Sequence, residues 1–126
     1  MSVTIHVDVL VAAHTAVLGE IDSEGATAYI NIRDSGDVLL STLPLTYPAG
    51  TVSGTTGKLT LGFGARDEEA AASGTASYAE LCDHAAKVLM ELSCAAGSAP
   101  AADTCVLSSL SIIAGAPVEG VSATIG

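Results

Sequence analysis

Four side chains in the sequence have the softness to hold zinc, namely Cys82, His84, Cys94 and Cys105. Structural zinc sites usually present two ligands roughly two to four residues apart on one knuckle, followed by a second such pair. Only Cys82 and His84 stand that close here, and Cys94 and Cys105 are solitary. Burial of Cys82 and Cys94 on a shared core face, as small apolar side chains, accounts for them better than a metal. His6, His14 and His84 could each serve as a general base, but none has a Ser or Cys elbow beside it. His14 falls on the apolar face of a predicted helix, where a half-buried, hydrogen-bonded imidazole is the common outcome. Asp67, Glu68 and Glu69 could attract a hard cation, yet they lack the alternating oxygen ligands and turn glycine of a calcium loop. Gly62-Phe63-Gly64 does not stand between a strand and a helix as a phosphate loop does. The residues therefore assign no catalytic, cofactor-binding or metal site, and the chain reads as non-enzymatic.

Composition narrows the remaining classes. Fourteen Asp and Glu against four Lys and Arg give a formal charge of −10, and Arg33, Lys58, Arg66 and Lys87 are dispersed. A nucleic-acid surface needs the opposite balance. No apolar run approaches the roughly 18 residues of a membrane span, and no basic region precedes an apolar core near Met1. Three cysteines cannot all pair within one chain, which fits synthesis in a reducing cytoplasm. Apolar residues make up 49% of the chain but aromatic residues only 3%, so the core is expected to be small and aliphatic.

The elements follow from periodicity. Val7, Leu10, Val11, His14, Val17, Leu18 and Ile21 keep helical spacing over four turns, which predicts a helix over Asp8 to Ile21, with Asp8 as its cap and Gly25 past its end. A competing strand reading rests on the alternation of Val3, Ile5, Val7, Val9 and Val11. Thr27 to Arg33, Val38 to Thr46 and Lys58 to Phe63 read as strands. Asp34 to Asp37 is a turn in which Gly36 can take positive φ, Pro44 and Pro48 point to an edge or bulge, and Ala49 to Gly57 reads as a loop. Gly64 to Ser73 reads as a solvated connection. Gly74 to Ala96 alternates on both sides of Asp83 to Ala86 and is expected to be a central hairpin. Gly97 to Asp103 is small and flexible, and Thr104 to Ser108, Leu110 to Ile113 and a last strand through Val121, Ala123 and Ile125 complete the set. The expectation is one mainly β domain over 1–126: an N-terminal helical segment over 1–25, then a two-sheet antiparallel sandwich, jelly-roll-like, over 26–126.

Gly74 to Tyr78, the run from Ser108 to Gly115 and Val121 to Ile125 resemble a family of small tailed-bacteriophage structural proteins. So do Ala26 to Asp34 after the helix and the leucine-rich Val38 to Leu45. The similarity runs from Ala16 to Gly126. The chain departs from the family pattern at Tyr78-Ala79, where an aromatic pair is usual, and at Glu80, where a basic residue is usual. It departs again at His84 to Ala86, where the turn usually contains Gly. The resemblance implies a virion component, an auxiliary capsid decoration or cement protein on the outside of the phage head. Its partner would then be the major capsid protein, and its state a homo-oligomer, dimer or trimer. Neck, tail or fibre-base components and a carbohydrate- or peptide-binding module are the alternatives.

Overall fold

In the computed structural model, which describes residues 6–22, 27–101 and 103–125, the helical spacing wins over the strand alternation. Helix α1 spans Val7–Ile21, and the seven residues of the apolar stripe are the ones that turn inward. Ile21 is fully buried and His14 nearly so, whereas Val7, Leu10, Val11, Val17 and Leu18 remain half-buried. The N-cap is His6 instead of Asp8: its Nδ1 accepts from the Asp8 N–H at 3.1 Å, and Asp8 lies in the first turn, where its charge suits the helix dipole. At the other end the Asp22 carboxylate accepts from the Ala49 N–H at 2.9 Å. Val3, Ile5 and Gly25, which the sequence reading also used, lie outside the described residues.

Among the described residues nine strands follow: β1 (Tyr29–Arg33), β2 (Leu39–Val52), β3 (Leu59–Phe63), β4 (Gly74–Thr75), β5 (Tyr78–Cys82), β6 (Val88–Ala96), β7 (Thr104–Leu107), β8 (Ser111–Ile112) and β9 (Gly120–Ile125). The expected sandwich is overturned. Seven strands close into one mixed barrel in the order β1-β2-β3-β9-β7-β6-β5, with β5 returning to β1. Both architectures need the same alternation of inward and outward residues, so alternation alone cannot separate them. The interior decides. A barrel of about eight strands is just wide enough to be filled by side chains, and Ile30, Ile32, Leu43, Leu61, Leu81 and Leu107 fill this one. A core poor in aromatics thus suits a narrow barrel.

The hairpin of β5 and β6 forms as expected, with Ala79 opposite Leu92 and Leu81 opposite Met90 facing inward. The expected loop over Ala49 to Gly57 is in part strand, because β2 continues to Val52 beyond a register shift between Leu45 and Gly50 that absorbs Pro48. The segment from Gly97 to Asp103 is a crossover that sets β7 parallel to β6. It lies against the outside of the barrel, where Thr124 Oγ1 donates to the Ala101 carbonyl at 2.7 Å. In the Asp34 to Asp37 turn, positive φ falls on Asp37 (65°) and not on Gly36.

The two ends of the barrel are closed differently. At one end β4 and β8 form a separate two-stranded ladder, Gly74 opposite Ile112 and Thr75 opposite Ser111. An Asp67 to Val118 bridge and backbone bonds between Ala70 and Gly115-Ala116 join the surrounding loops. At the other end helix α1 packs on β2 and β3 and on the turn between them. There His14 Nδ1 hydrogen-bonds the Gly57 carbonyl, and Leu10 lies over Gly57, whose φ of 73° and lack of a Cβ allow that approach.

Candidate functional site

The four zinc candidates are not assembled. Cys82 lies on the outer face of β5, where Asn31 Nδ2 donates to its Sγ at 3.8 Å, and His84 stands in the β5–β6 turn. Cys94 and Cys105 are direct register partners across β6 and β7. Cys82 and Cys94 therefore share no face, contrary to expectation. Cys82 and Cys105 are buried and Cys94 is half-buried, and all three are free thiols. Among the described residues no group of three or more His, Cys, Asp or Glu is placed to hold a metal ion.

The histidines are equally dispersed in role. His6 caps α1, His14 anchors the helix to Gly57, and His84 belongs to a turn whose Asp83 carboxylate accepts from the Ala85 and Lys87 N–H groups, both at 3.0 Å. Asp67 of the acid cluster is a structural acceptor, bonded by Ser41 Oγ at 2.6 Å and by the Glu69 N–H at 3.1 Å. Glu68 pairs with Arg66 at 2.9 Å on the surface, a contact of little energetic consequence. Gly62-Phe63-Gly64 closes β3, and the Phe63 ring occupies the space beside Gly120 that a side chain there would need.

The densest polar constellation lies on the outer face of β1 and β5. Arg33 Nε and Glu80 Oε1 are 2.5 Å apart, Arg33 Nη1 donates to the Asp37 carbonyl at 3.0 Å, and the Tyr78 hydroxyl donates to Asp37 Oδ1 at 2.6 Å. The hydrogen bond to Glu80 raises the pKa of Arg33, and the bond to Asp37 pushes that of Tyr78 up to about 12. Burial, then the nearby Glu80 charge, raises the Cys82 thiol, so it is not an activated nucleophile. Sequence reading missed this constellation because Arg33 and Glu80 meet only once β1 and β5 are paired.

A concavity of about 360 Å³ opens where pairing of β3 with β9 stops at Leu61 opposite Ala123. Leu43, Leu61 and Phe63 line it, with Arg66 and Glu119 as its charged residues. It could take an apolar group of a ligand, but it joins no nucleophile to a base. Large apolar side chains are exposed at Val9, Val38, Tyr47, Val88, Ile113 and Val121. No described helix is long and apolar enough to cross a membrane. Comparison of the chain with protein-family models, with curated proteins and with solved structures finds no match.

Proposed function

We propose that the chain is a structural protein of a tailed-phage virion, an auxiliary decoration or cement protein that binds the outside of the capsid head and strengthens it. The observation that supports this reading most is where the phage-like stretches fall. Ala26 to Asp34, Val38 to Leu45, Gly74 to Tyr78, Ser108 to Gly115 and Val121 to Ile125 contain strands β1, part of β2, β4, β8 and most of β9. Two of them, far apart in sequence, pair with each other as the β4–β8 ladder. Short stretches that interlock in space are what a shared fold produces, whereas shared composition alone has no reason to do so. The charge of −10 suits an exterior position away from packaged DNA. The half-buried stripe of α1, with Val9 beside it, offers apolar area for the major capsid protein or for a second copy of the chain.

The test is to purify heads with and without the protein. Heads that carry it should hold it in fixed stoichiometry with the shell protein and should burst at higher temperature. Heads of equal strength, or a location confined to the tail, overturn the assignment. The cleft between β3 and β9 favours one second reading, a peptide- or carbohydrate-binding module. Saturable binding of such a ligand by the free protein, abolished by Phe63→Ala, would move that reading to first place.

A further inference from the structure

Cys94 and Cys105 are brought together by the one parallel pairing in the barrel, and no role described so far uses them. They are register partners on neighbouring strands, so their Cα atoms are separated by about 4.8 Å, within the roughly 4.4–6.8 Å that a disulfide spans. Both side chains point into the barrel: Cys105 is fully buried in the core, and Cys94 packs against that core while keeping partial exposure. Cys82 is on the outer face of β5 and cannot reach them. The pair thus has the asymmetry of a thiol couple, one sulfur that a reagent can reach and a second that only the first can reach. The hydrogen bond between the two thiols lowers the pKa of Cys94 and raises that of Cys105, which favours Cys94 as the attacking thiolate.

We propose that Cys94 and Cys105 are a redox couple that a small-molecule disulfide converts to a cross-strand disulfide, stapling β6 to β7 and closing the 97–103 crossover into a ring. The Cys94 thiolate attacks the reagent, forming a mixed disulfide and expelling one thiolate, which takes up a proton. Cys105 then loses its proton and attacks Cys94 Sγ, which expels the second thiol and leaves the Cys94–Cys105 bond. Two protein thiols are oxidised and one reagent disulfide is reduced to two thiols, so atoms and electrons balance. Cys105 is fully buried beside Cys94, so the second step is intramolecular.

The test uses the full native chain and oxidised glutathione. Titratable thiols should fall from three to one, the mass should drop by two hydrogens, and peptide mapping should join Cys94 to Cys105. Closing so short a loop is expected to raise Tm by about 5–10 °C, and dithiothreitol should reverse it. Cys82→Ser should leave the reaction intact, while Cys94→Ala and Cys105→Ala should each abolish the loss of two hydrogens. Should Cys105→Ala fold poorly, Cys94→Ala decides alone. Three thiols remaining after oxidation, a stable glutathione adduct on Cys94, or a bond between two chains would each overturn the proposal.

Discussion

The two ends of the barrel perform the same task by different means. The β4–β8 end is sealed by backbone pairing between segments distant in sequence, and Ala70, Ala76, Ile112 and Val118 are buried beneath or within it. The helix end is sealed by side chains on one face of α1, of which only His14 and Ile21 are buried. Backbone pairing makes a closed lid, because each bond has a fixed partner. A helix laid on by its apolar stripe leaves surface over, and that surplus is where a partner can be accommodated.

The sharpest way to break this comparison is to cut matched side chains from the two ends. Ile112→Ala, at 4% exposure, should cost about 2–4 kcal/mol in urea unfolding, since it loses transfer energy and leaves a cavity. Leu18→Ala on the half-buried stripe should cost about 1 kcal/mol. Equal losses would show that the helix end is as tightly closed as the ladder end. Next, Gly57→Ala should cost about 1–3 kcal/mol, because its Cβ would overlap Leu10 and its φ of 73° disfavours a side chain. The loss should appear with weakened helix protection in hydrogen exchange. An unchanged exchange pattern would mean that α1 is not held through this turn.

A smaller effect separates the turns. Ala86 at the helix end and Asp37 at the ladder end both have positive φ, 67° and 65°. Ala86→Gly should stabilise by about 0.5–1 kcal/mol, as glycine relieves the left-handed backbone. Asp37→Gly should gain nothing, because it removes the acceptor of the Tyr78 hydroxyl. Denaturation midpoints of the two variants should therefore move differently. The weakest expected signal comes from Tyr78 itself. Its proton is held more tightly in the folded chain, so the contribution is complete below the unfolded tyrosine pKa near 10 and is lost as pH rises toward about 12. Tyr78→Phe should remove the latest step from the ultraviolet tyrosinate titration, and its persistence would contradict the Asp37 bond.

What was legible in the sequence was what local periodicity encodes. The α1 stripe and the inward residues Ala28, Ile30 and Ile32 were readable because spacing alone fixes the face. The β5–β6 hairpin was readable for the same reason. Barrel closure was not, because whether β3 meets β9 depends on twist and interior volume. The parallel β6–β7 pair was hidden by a connection, Gly97 to Asp103, whose composition suits any loop. The Cys94–Cys105 contact was hidden with it, and so was the meeting of Arg33 with Glu80. Ala86 and Asp37 were missed because nothing in a residue type forbids a strained turn that its neighbours enforce. Glycine nearby, as at Gly36, is a lure when the positive φ falls on the next residue.

The seam between β3 and β9 also governs how the chain reaches its folded state. Leu59 pairs with Ile125, so the ring closes only when the last strand meets one formed early in the sequence. Such non-local pairing makes folding slow relative to helical domains of similar size, on the scale of roughly milliseconds to seconds. Until β9 docks, β3 and β7 are open edges on which a second unfinished chain could template. The surplus of carboxylates counters that encounter, since ten net negative charges repel one half-folded copy from the next. High salt during refolding should therefore favour aggregation over closure, although it changes little in the finished barrel.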